Sequence, residues 1–335
     1  MNADFSWATA LPVIFMALMG LAMLAYVVLD GYDLGVGMLL HRAGDDQKDT
    51  MIASIGPFWD ANETWLVLGV GILLIAFPKA HGMVLGALYL PVALMLVGLI
   101  LRGVAFDFRV KAQAAHKPLW NQAFFAGSGL AAASQGWMLG RYITGLQDGW
   151  VFDAFAAVIA LLLPAAYVLL GAAWLLMKTE GELQALALRW AKLAWWPLVL
   201  GMGLISVATP WVSTTVRDKW FTMPEFIVLL PIPLMTLAAL VAARVLLNSS
   251  RVLGKLCWLP FALVVCVFLL GALGLAYSLY PYVVMDKLTL WQAASATESL
   301  AVIAVGCAVT VPAIAGYTVF AYRVFWGKAR ELSYA

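Results

Sequence analysis

The feature that most constrains this chain is a series of apolar runs, each about 20 residues long, that recurs along the sequence. A helix of that length crosses a hydrocarbon layer roughly 30 Å thick. Hydrophobic residues make up 64% of the 335 residues and charged residues only 11%, whereas an ordinary soluble domain has about 25% charged residues. The sequence therefore predicts an all-α, polytopic membrane protein for which the bilayer is the main solvent.

Apolar runs bounded by charges, Pro and Gly predict nine transmembrane helices within a single integral membrane domain, residues 1–335. The predicted helices are 9–38, 57–77, 82–103, 120–143, 152–177, 188–209, 224–247, 256–280 and 298–326. The sixth helix contains Lys192, and Pro197 is expected to kink it. No polar stretch between helices exceeds about 20 residues, so the sequence leaves no room for a large soluble domain.

The distribution of Lys and Arg predicts the topology, because cytoplasmic loops carry the positive excess. With the N-terminus outside and the C-terminus in the cytoplasm, the inner side holds Arg42, Lys48, Arg102, Arg109, Lys111, Lys117, Lys178, Arg189, Lys192, Arg244, Arg251, Lys255, Arg323, Lys328 and Arg330. The outer side holds Lys79, Arg141, Arg217, Lys219 and Lys287. This asymmetry supports both the orientation and an odd number of helices. Nothing basic precedes Arg42, so the first apolar run is expected to be a retained helix rather than a cleaved signal peptide.

Composition and spacing also argue against several kinds of site. A net charge of +2 without a Lys/Arg-rich block does not suggest a nucleic-acid partner. The three cysteines, Cys257, Cys266 and Cys307, lie in apolar runs without CxxC spacing, and we expect them to be packing residues. The three histidines are His41, His81 and His116, all at helix ends or in loops. A haem held inside this chain by paired His is therefore not expected.

Two acidic pairs lie where apolar residues would be expected. Asp30 and Asp33 are three residues apart near the inner end of the first helix, and Asp60 and Glu63 are three apart near the start of the second. Residues at this spacing share a helix face. Because the first helix ends in the cytoplasm and the second begins there, both pairs are expected on the cytoplasmic side. Glycines at 31, 35 and 37 give the first helix a small-residue face that allows another helix to approach closely.

Several roles for these acids stay open from the residues alone. Pro57 is predicted at the first position of the second helix, so Asp60 and Glu63 can complement the helix dipole. Asp30 and Asp33 can lie among the lipid head groups, because their run is longer than the hydrocarbon layer. The alternatives are a proton or cation path, or a metal site, for which too few oxygen ligands converge. Arg102 can extend to the interface, or contact a lipid, a quinone head group or a neighbouring subunit.

Three segments together resemble the signature segments of subunit II of cytochrome bd ubiquinol oxidases. They are LDGYDLGVGM at residues 29–38, GPFWDANETWL at 56–66 and LRGVAFDFR at 101–109. Their order, their spacing and the nine-helix context also match that family. The resemblance implies a fold of two four-helix bundles plus one additional helix, in a bacterial inner membrane.

The resemblance also implies a function. The complex oxidises quinol and reduces dioxygen to water in aerobic respiration. Haem b and haem d belong to the partner, subunit I, and a small single-helix third subunit and membrane lipids are further partners. Subunit II supports the haem-bearing subunit, binds a quinone in some members and supplies carboxylates for proton uptake. Carried onto this sequence, the proton-path candidates are Asp30, Asp33, Asp60 and Glu63, and the tentative quinone, lipid or subunit contacts are Trp59 and Arg102.

Two other classes of function compete with this interpretation. A secondary transporter also needs carboxylates within the membrane, but it usually shows matching broken helices in two halves and a site at the midplane. Here the carboxylates lie to one side, and the short echo between residues 59–61 and 291–293 does not carry a duplication. A purely structural assembly subunit is the second alternative. It predicts that the acidic residues affect haem retention or stability without affecting proton movement.

Overall fold

The computed structural model describes residues 6–329, which are almost entirely helical; Arg330, counted above on the inner side, lies outside the described residues. The helices are α1 (Trp7–Leu39), α2 (Asp45–Ile55), α3 (Trp59–Ala76), α4 (Pro78–Ala87), α5 (Tyr89–Lys111), α6 (Lys117–Ile143), α7 (Trp150–Lys178), α8 (Gly181–Val212), α9 (Thr214–Phe221), α10 (Glu225–Leu229), α11 (Pro231–Leu247), α12 (Leu259–Leu279), α13 (Leu290–Ala293) and α14 (Thr297–Val324). A short antiparallel hairpin joins β1 (Tyr282–Val284) to β2 (Leu288–Thr289).

Within residues 6–329, eight segments are long and apolar enough to cross a membrane: Trp7–Arg42, Trp59–Ala76, Tyr89–Lys111, Trp150–Lys178, Gly181–Val212, Glu225–Leu247, Leu259–Leu279 and Thr297–Val324. The ninth long helix, α6, has 27 residues, which corresponds to a length of about 40 Å. It is more polar than the others and packs between α5 and α7. Each of the nine predicted helices thus overlaps a long helical segment, although the bounds differ.

Several predicted boundaries were wrong, mostly because of proline. The predicted helix 82–103 is two helices, α4 and α5, separated at Leu88. Pro91 lacks the N–H that would bond to the carbonyl of Ala87, which weakens a continuous helix at the point where α4 ends. The predicted helix 224–247 is likewise divided into α10 and α11, with Pro231 at the first position of α11.

Other predicted boundaries differ from the observed ones although the helix is not divided. Helix α3 begins at Trp59, so Pro57 lies in the preceding turn instead of at the first helical position. Helix α8 is 32 residues long and is therefore longer than the predicted helix 188–209. It continues through both Pro197 and Pro210. Helix α5 extends about two turns beyond the predicted end at residue 103, to Lys111.

The long helices form two four-helix groups and one peripheral helix, as the resemblance implied. In the first group α3 packs on α1, α1 on α6 and α6 on α5; in the second, α7 packs on α8 and α12, and α11 on α8 and α12. Contacts of α7 with α1 and α6 join the two groups. Helix α14 packs mainly along α1 and α3 and exposes most of its apolar surface.

Glycines allow α1 to approach α7 closely, as the small-residue face predicted. A Cβ added at Gly35 would lie 1.8 Å from the carbonyl oxygen of Tyr167, and one added at Gly171 would lie 2.5 Å from the carbonyl carbon of Gly35. No side chain fits there, so the two backbones touch at a small-residue contact. This contact holds the inner half of α1, which carries Asp30 and Asp33, in the centre of the protein.

Candidate functional site

The structure brings four charged residues from three helices together in the first four-helix group. Asp30 and Asp33 come from α1, Glu63 from α3 and Arg102 from α5. We call these four residues the carboxylate cluster. Asp30 and Asp33 are fully buried and Arg102 is 1% exposed, whereas 29% of the Glu63 side chain is accessible. The cluster therefore lies inside the protein and opens toward its surface only at Glu63.

Arg102 lies between two of the carboxylates. Its Nη1 lies 2.6 Å from Oδ1 of Asp30, and its Nη2 donates to Oε1 of Glu63. The contact with Asp30 is an ion pair without hydrogen-bond alignment, since neither Nη1 nor either Asp30 oxygen has an aligned partner among the described residues. Nε of Arg102 is also without a partner there. Both ion pairs of Arg102 are thus with carboxylates of this chain.

Two glycines explain how α5 presents Arg102 so deep in the fold. A Cβ added at Gly98 would lie 2.7 Å from the carbonyl oxygen of Gly127, and one added at Gly127 would lie 2.8 Å from the backbone nitrogen of Arg102. Helices α5 and α6 therefore touch backbone to backbone at this level. The close packing leaves the guanidinium facing α1 and α3 instead of the lipid.

Asp33 is held by an amide instead of a cation. Nδ2 of Asn62 on α3 donates to Oδ2 of Asp33 over 2.8 Å. Oδ1 of Asp33 is buried and has no hydrogen-bond partner in the described part of the chain. Asn62 is itself fully buried. The sequence pattern pointed to the acids on either side of Asn62, and the structure adds Asn62 as the residue that contacts one of them.

Three carboxylates and one guanidinium leave the carboxylate cluster with an excess of negative charge if every acid is ionised. Isolated charges are costly in a buried or membrane environment, so such sites gain a counter-ion or a proton. Chemically, the cluster can bind a proton or a small cation. Its position inside the fold also means that Asp30 and Asp33 do not lie among lipid head groups.

Asp60 is not brought into the carboxylate cluster. It is exposed in the first turn of α3. Asn62 faces α1, and a residue two positions away on a helix points to a different side. The common patch expected from two acidic pairs therefore contains only one member of the second pair, Glu63.

Trp59 also lies outside the carboxylate cluster. It is half-buried beside Asp60, with its ring 5.2 Å from that of Phe106. Gly103 gives it space, since a Cβ there would lie 3.7 Å from the indole. Arg102 and Trp59 thus occupy different environments, one inside the chain and one at its surface.

A second polar group continues from the carboxylate cluster toward the outer side, and it was missed in the sequence. Nε2 of Gln135 on α6 donates to the hydroxyl of Tyr26 over 2.8 Å, and the hydroxyl of Tyr167 on α7 donates to Oε1 of Gln135 over 2.7 Å. All three side chains are buried. Tyr26 precedes Asp30 by one turn of α1. A glutamine within the predicted membrane helix 120–143 was the signal that could have revealed this group.

The described residues offer no obvious haem or metal ligands. No group of three or more His, Cys, Asp or Glu side chains within residues 6–329 is arranged to hold a metal ion. His41 and His116 lie in 3₁₀ turns and His81 lies in α4. His41 contacts the carbonyl oxygen of Met38 over 3.1 Å.

Comparison with known proteins decides the family. The family model for cytochrome bd terminal oxidase subunit II matches residues 11–325, nearly the whole chain. The chain belongs to the cytochrome bd terminal oxidase subunit II family.

Individual relatives agree with this membership. The chain is 27% identical to cytochrome bd ubiquinol oxidase subunit 2 of Bacillus subtilis, covering 92% of this chain and 94% of the relative. It is 25% identical to cytochrome bd-I ubiquinol oxidase subunit 2 of Escherichia coli, covering 95% of both chains. A chain of the bd oxidase from Geobacillus thermodenitrificans superposes with a TM-score of 0.76 at 18% identity, covering 95% of this chain and 100% of that chain. The resemblance found in the sequence and the polytopic all-α membrane fold are both confirmed.

Proposed function

We propose that this chain is the subunit of a quinol:O2 oxidoreductase that supports the haem-bearing subunit I and takes up protons from the cytoplasm. Family membership supports the first part, since the relatives in Bacillus subtilis and Escherichia coli are named as ubiquinol oxidase subunits. The same membership favours this function over a secondary transporter. A bacterial inner membrane is the proposed location, with the N-terminus outside.

The observation that carries the proton-uptake part is the charge of the carboxylate cluster. A path for protons through a membrane needs groups that exchange a proton where water is scarce. Asp30 and Glu63 share the single guanidinium of Arg102, and Asp33 lies beside them in the protein interior with Asn62 as its hydrogen-bond donor. Protonation of one acid lowers the excess negative charge of the carboxylate cluster. Release of that proton restores the negative charge. This is the chemistry of a relay, in which no electron moves.

Burial increases along the acids in the order that a path from the cytoplasm requires. Asp60 is exposed at the start of α3, and Glu63 lies nearly one turn further along and is partly accessible. Asp33 and Asp30 are fully buried. Tyr26 then continues the polar line by one further turn. Asp60 is therefore proposed as the uptake point, outside the carboxylate cluster that it feeds. Water molecules are expected to bridge Asp60 and Glu63.

Haem b and haem d are assigned to subunit I, because the His residues of this chain are dispersed at helix ends and in turns. When bound in the partner, the haems supply the electron transfer and oxygen chemistry. Trp59 keeps its proposed role as a contact for a quinone, a lipid or the partner subunit, since its ring reaches the surface. Arg102 is reassigned to the carboxylate cluster. A small third subunit is proposed from the resemblance alone.

The test measures proton uptake and quinol-dependent oxygen consumption by the complete complex, purified with its partner and reconstituted in vesicles. Asp33→Asn and Asp60→Asn each remove one ionisable group with little change in shape. We expect Asp33→Asn to lower turnover by about 100-fold or more, within the range that a positioned proton-transfer group contributes. Asp60→Asn is expected to have a smaller effect, because other surface acids and water can deliver protons to Glu63.

A matched control separates proton transfer from assembly. Asp107→Asn removes an exposed acid near the inner end of α5, so it is expected to leave turnover unchanged. Each variant is compared at equal haem content. Full turnover and full proton uptake in Asp33→Asn would overturn the relay. Loss of haem from Asp33→Asn, with normal turnover per remaining haem, would instead support a purely structural subunit.

A further inference from the structure

Three side chains next to Asp33 form a closed ring of hydrogen bonds. Nδ2 of Asn62 donates to the hydroxyl of Tyr32 over 2.9 Å. The hydroxyl of Tyr322 on α14 donates to Oδ1 of Asn62 over 3.2 Å. The two hydroxyl oxygens lie 2.5 Å apart. Because the single hydroxyl hydrogen of Tyr322 goes to Asn62, Tyr32 must be the donor in the third bond.

The acceptors beside Nδ2 fix the orientation of the Asn62 amide, and the two tyrosine hydroxyls hold the amide in place. One Nδ2 hydrogen goes to Tyr32 and the other to Oδ2 of Asp33, while the carbonyl of Leu29 is a more distant acceptor at 3.2 Å. Reversing the amide would point its oxygen at the ionised Asp33 carboxylate and the Leu29 carbonyl, neither of which can donate, whereas the two tyrosine hydroxyls can donate or accept. The amide donor is therefore held toward Asp33.

The two oxygens of Asp33 consequently differ. Oδ2 accepts from Asn62, and Oδ1 is buried without a partner among the described residues. We infer that Oδ1 of Asp33 is the oxygen that takes up and releases the transported proton, and that Asn62, Tyr32 and Tyr322 are positioning residues that hold Oδ2. The inference rests on the proposed relay function. An O–H bond forms at Oδ1 as an O–H bond of a protonated water on the cytoplasmic side breaks, and the Oδ1–H bond breaks as the proton passes to the next water along the path.

The need for such a ring follows from the groups around Asp33. Asp30 on α1 and Glu63 on α3 repel its charge, and Arg102 on α5 attracts it. Nε and Nη1 of Arg102 still have hydrogens without an aligned acceptor. A carboxylate released from Asn62 is drawn toward these donors, and a charge-assisted hydrogen bond there is stronger than a neutral one. Asp33 would then be held as an ion pair and would exchange its proton poorly.

Removal of one hydroxyl tests the ring without removing the packing. The Tyr32 ring stacks on Trp174 at 4.1 Å, and the Tyr322 ring lies 4.5 Å from that of Phe58. Phenylalanine preserves both contacts. Tyr322→Phe is therefore the main variant, Tyr32→Phe is the second, and Tyr317→Phe, on the exposed side of the same helix α14, is the matched control.

The experiment uses the complete complex. It combines steady-state turnover with quinol and infrared difference spectroscopy of protonated carboxylic acids, in which the Asp33 band is identified by its loss in Asp33→Asn. Tyr322→Phe is expected to lower kcat by about 2- to 10-fold, the rate equivalent of one lost hydrogen bond. The KM for quinol is expected to stay unchanged, and the Asp33 band is expected to shift. Tyr32→Phe should behave alike, and Tyr317→Phe should match the native protein.

The outcomes separate this inference from the proposed function. If Asp33→Asn retains full turnover, the relay itself is wrong. If Asp33→Asn is impaired but Tyr322→Phe and Tyr32→Phe show native kcat and an unshifted band, the relay stands and the positioning ring is wrong. If neither tyrosine variant assembles while Tyr317→Phe does, the ring is a structural device, which also contradicts the inference.

Discussion

Helix α5 carries two arginines, seven residues apart, whose surroundings differ in one respect. Arg102 and Arg109 are both nearly buried, and each is paired with a carboxylate from another helix. Arg102 pairs with two acids, Asp30 and Glu63, and lies near a third, Asp33. Arg109 and Lys117 instead share the single carboxylate of Asp49. A buried arginine is thus uninformative by itself. The ratio of acids to cations around it indicates whether a site can exchange a proton or only anchors helices.

Arg109, Asp49, Lys117 and Asn121 join three helices, and we call these four residues the anchor. Its Nη1 lies 2.7 Å from Oδ1 of Asp49 on α2, and its Nε donates to the side-chain oxygen of Asn121 on α6. Nζ of Lys117 lies 3.2 Å from Oδ2 of Asp49. Partial burial acts to raise the pKa of Asp49, but the hydrogen bond and charge of Arg109, with those of Lys117, outweigh it and lower the pKa below its usual value. The acid stays ionised at neutral pH and ties α2 to α5 and α6.

The largest expected effect comes from removing the cation of the carboxylate cluster. Arg102→Met leaves Asp30 and Glu63 without their buried partner, and breaking a buried ion pair in this way costs about 3–5 kcal/mol. We expect lower thermal stability of the whole complex and loss of haem on mild heating. The comparison would fail if Arg109→Met destabilised the complex as much as Arg102→Met does.

A smaller effect is expected at the anchor. Arg109→Met leaves the buried amide oxygen of Asn121 unpaired, which costs about 1–3 kcal/mol, while Asp49 can turn to water and Lys117. The expected signature is faster hydrogen exchange in α2 with normal turnover at equal haem content. A proton-uptake defect in Arg109→Met as large as that of Asp33→Asn would show that the charge ratio does not distinguish the two sites.

The smallest expected effect is a loss of stability at the Asp49 ion pairs when the pH is lowered into the acid range. The folded-state pKa of Asp49 is below its unfolded value of about 4. Its ion pairs therefore contribute stability that is fully present above that value and is lost as the pH falls through the folded-state pKa. Because 41% of the Asp49 side chain is accessible, the contribution is at most about 1 kcal/mol.

Hydrogen exchange of the α2 amides measures this dependence. Protection in α2 should fall as the pH is lowered below about 4, beyond the change expected from the intrinsic exchange rate. Asp49→Asn, the control, should remove the pH-dependent part and leave weaker protection throughout. Equal protection of native and Asp49→Asn proteins at neutral pH would contradict the anchor.

Sequence reasoning predicted the features that follow from length, charge and residue size. Nine helices follow from apolar runs that match the bilayer, and the small-residue face of α1 predicted its close contact with another helix. Two acids spaced by three residues were correctly placed on one face of α1. The prolines near the breaks between α4 and α5 and between α10 and α11 are present in the sequence. Each lies in a continuous apolar run, and the run was predicted as one helix.

The partners of the acids could not be predicted, because they come from distant parts of the chain. Arg102 lies 72 positions after Asp30 and Tyr322 lies 260 after Asn62, so no spacing rule joins them. The position of Asp60 outside the carboxylate cluster depends on the rotation of α3 about its axis. The sequence restricts that rotation only through which face carries Asn62 and Trp65, both buried in the structure.

The most direct test of the central claim is whether the carboxylate cluster holds a proton that Asp33 carries. Infrared difference spectra of the complete complex, with and without quinol-driven turnover, report carboxylic acids that change protonation. The charge excess around Arg102 predicts a carboxylic-acid band in the native complex that disappears in Asp33→Asn and persists in Asp107→Asn. A native spectrum without such a band, or a band unchanged in Asp33→Asn, would contradict this account.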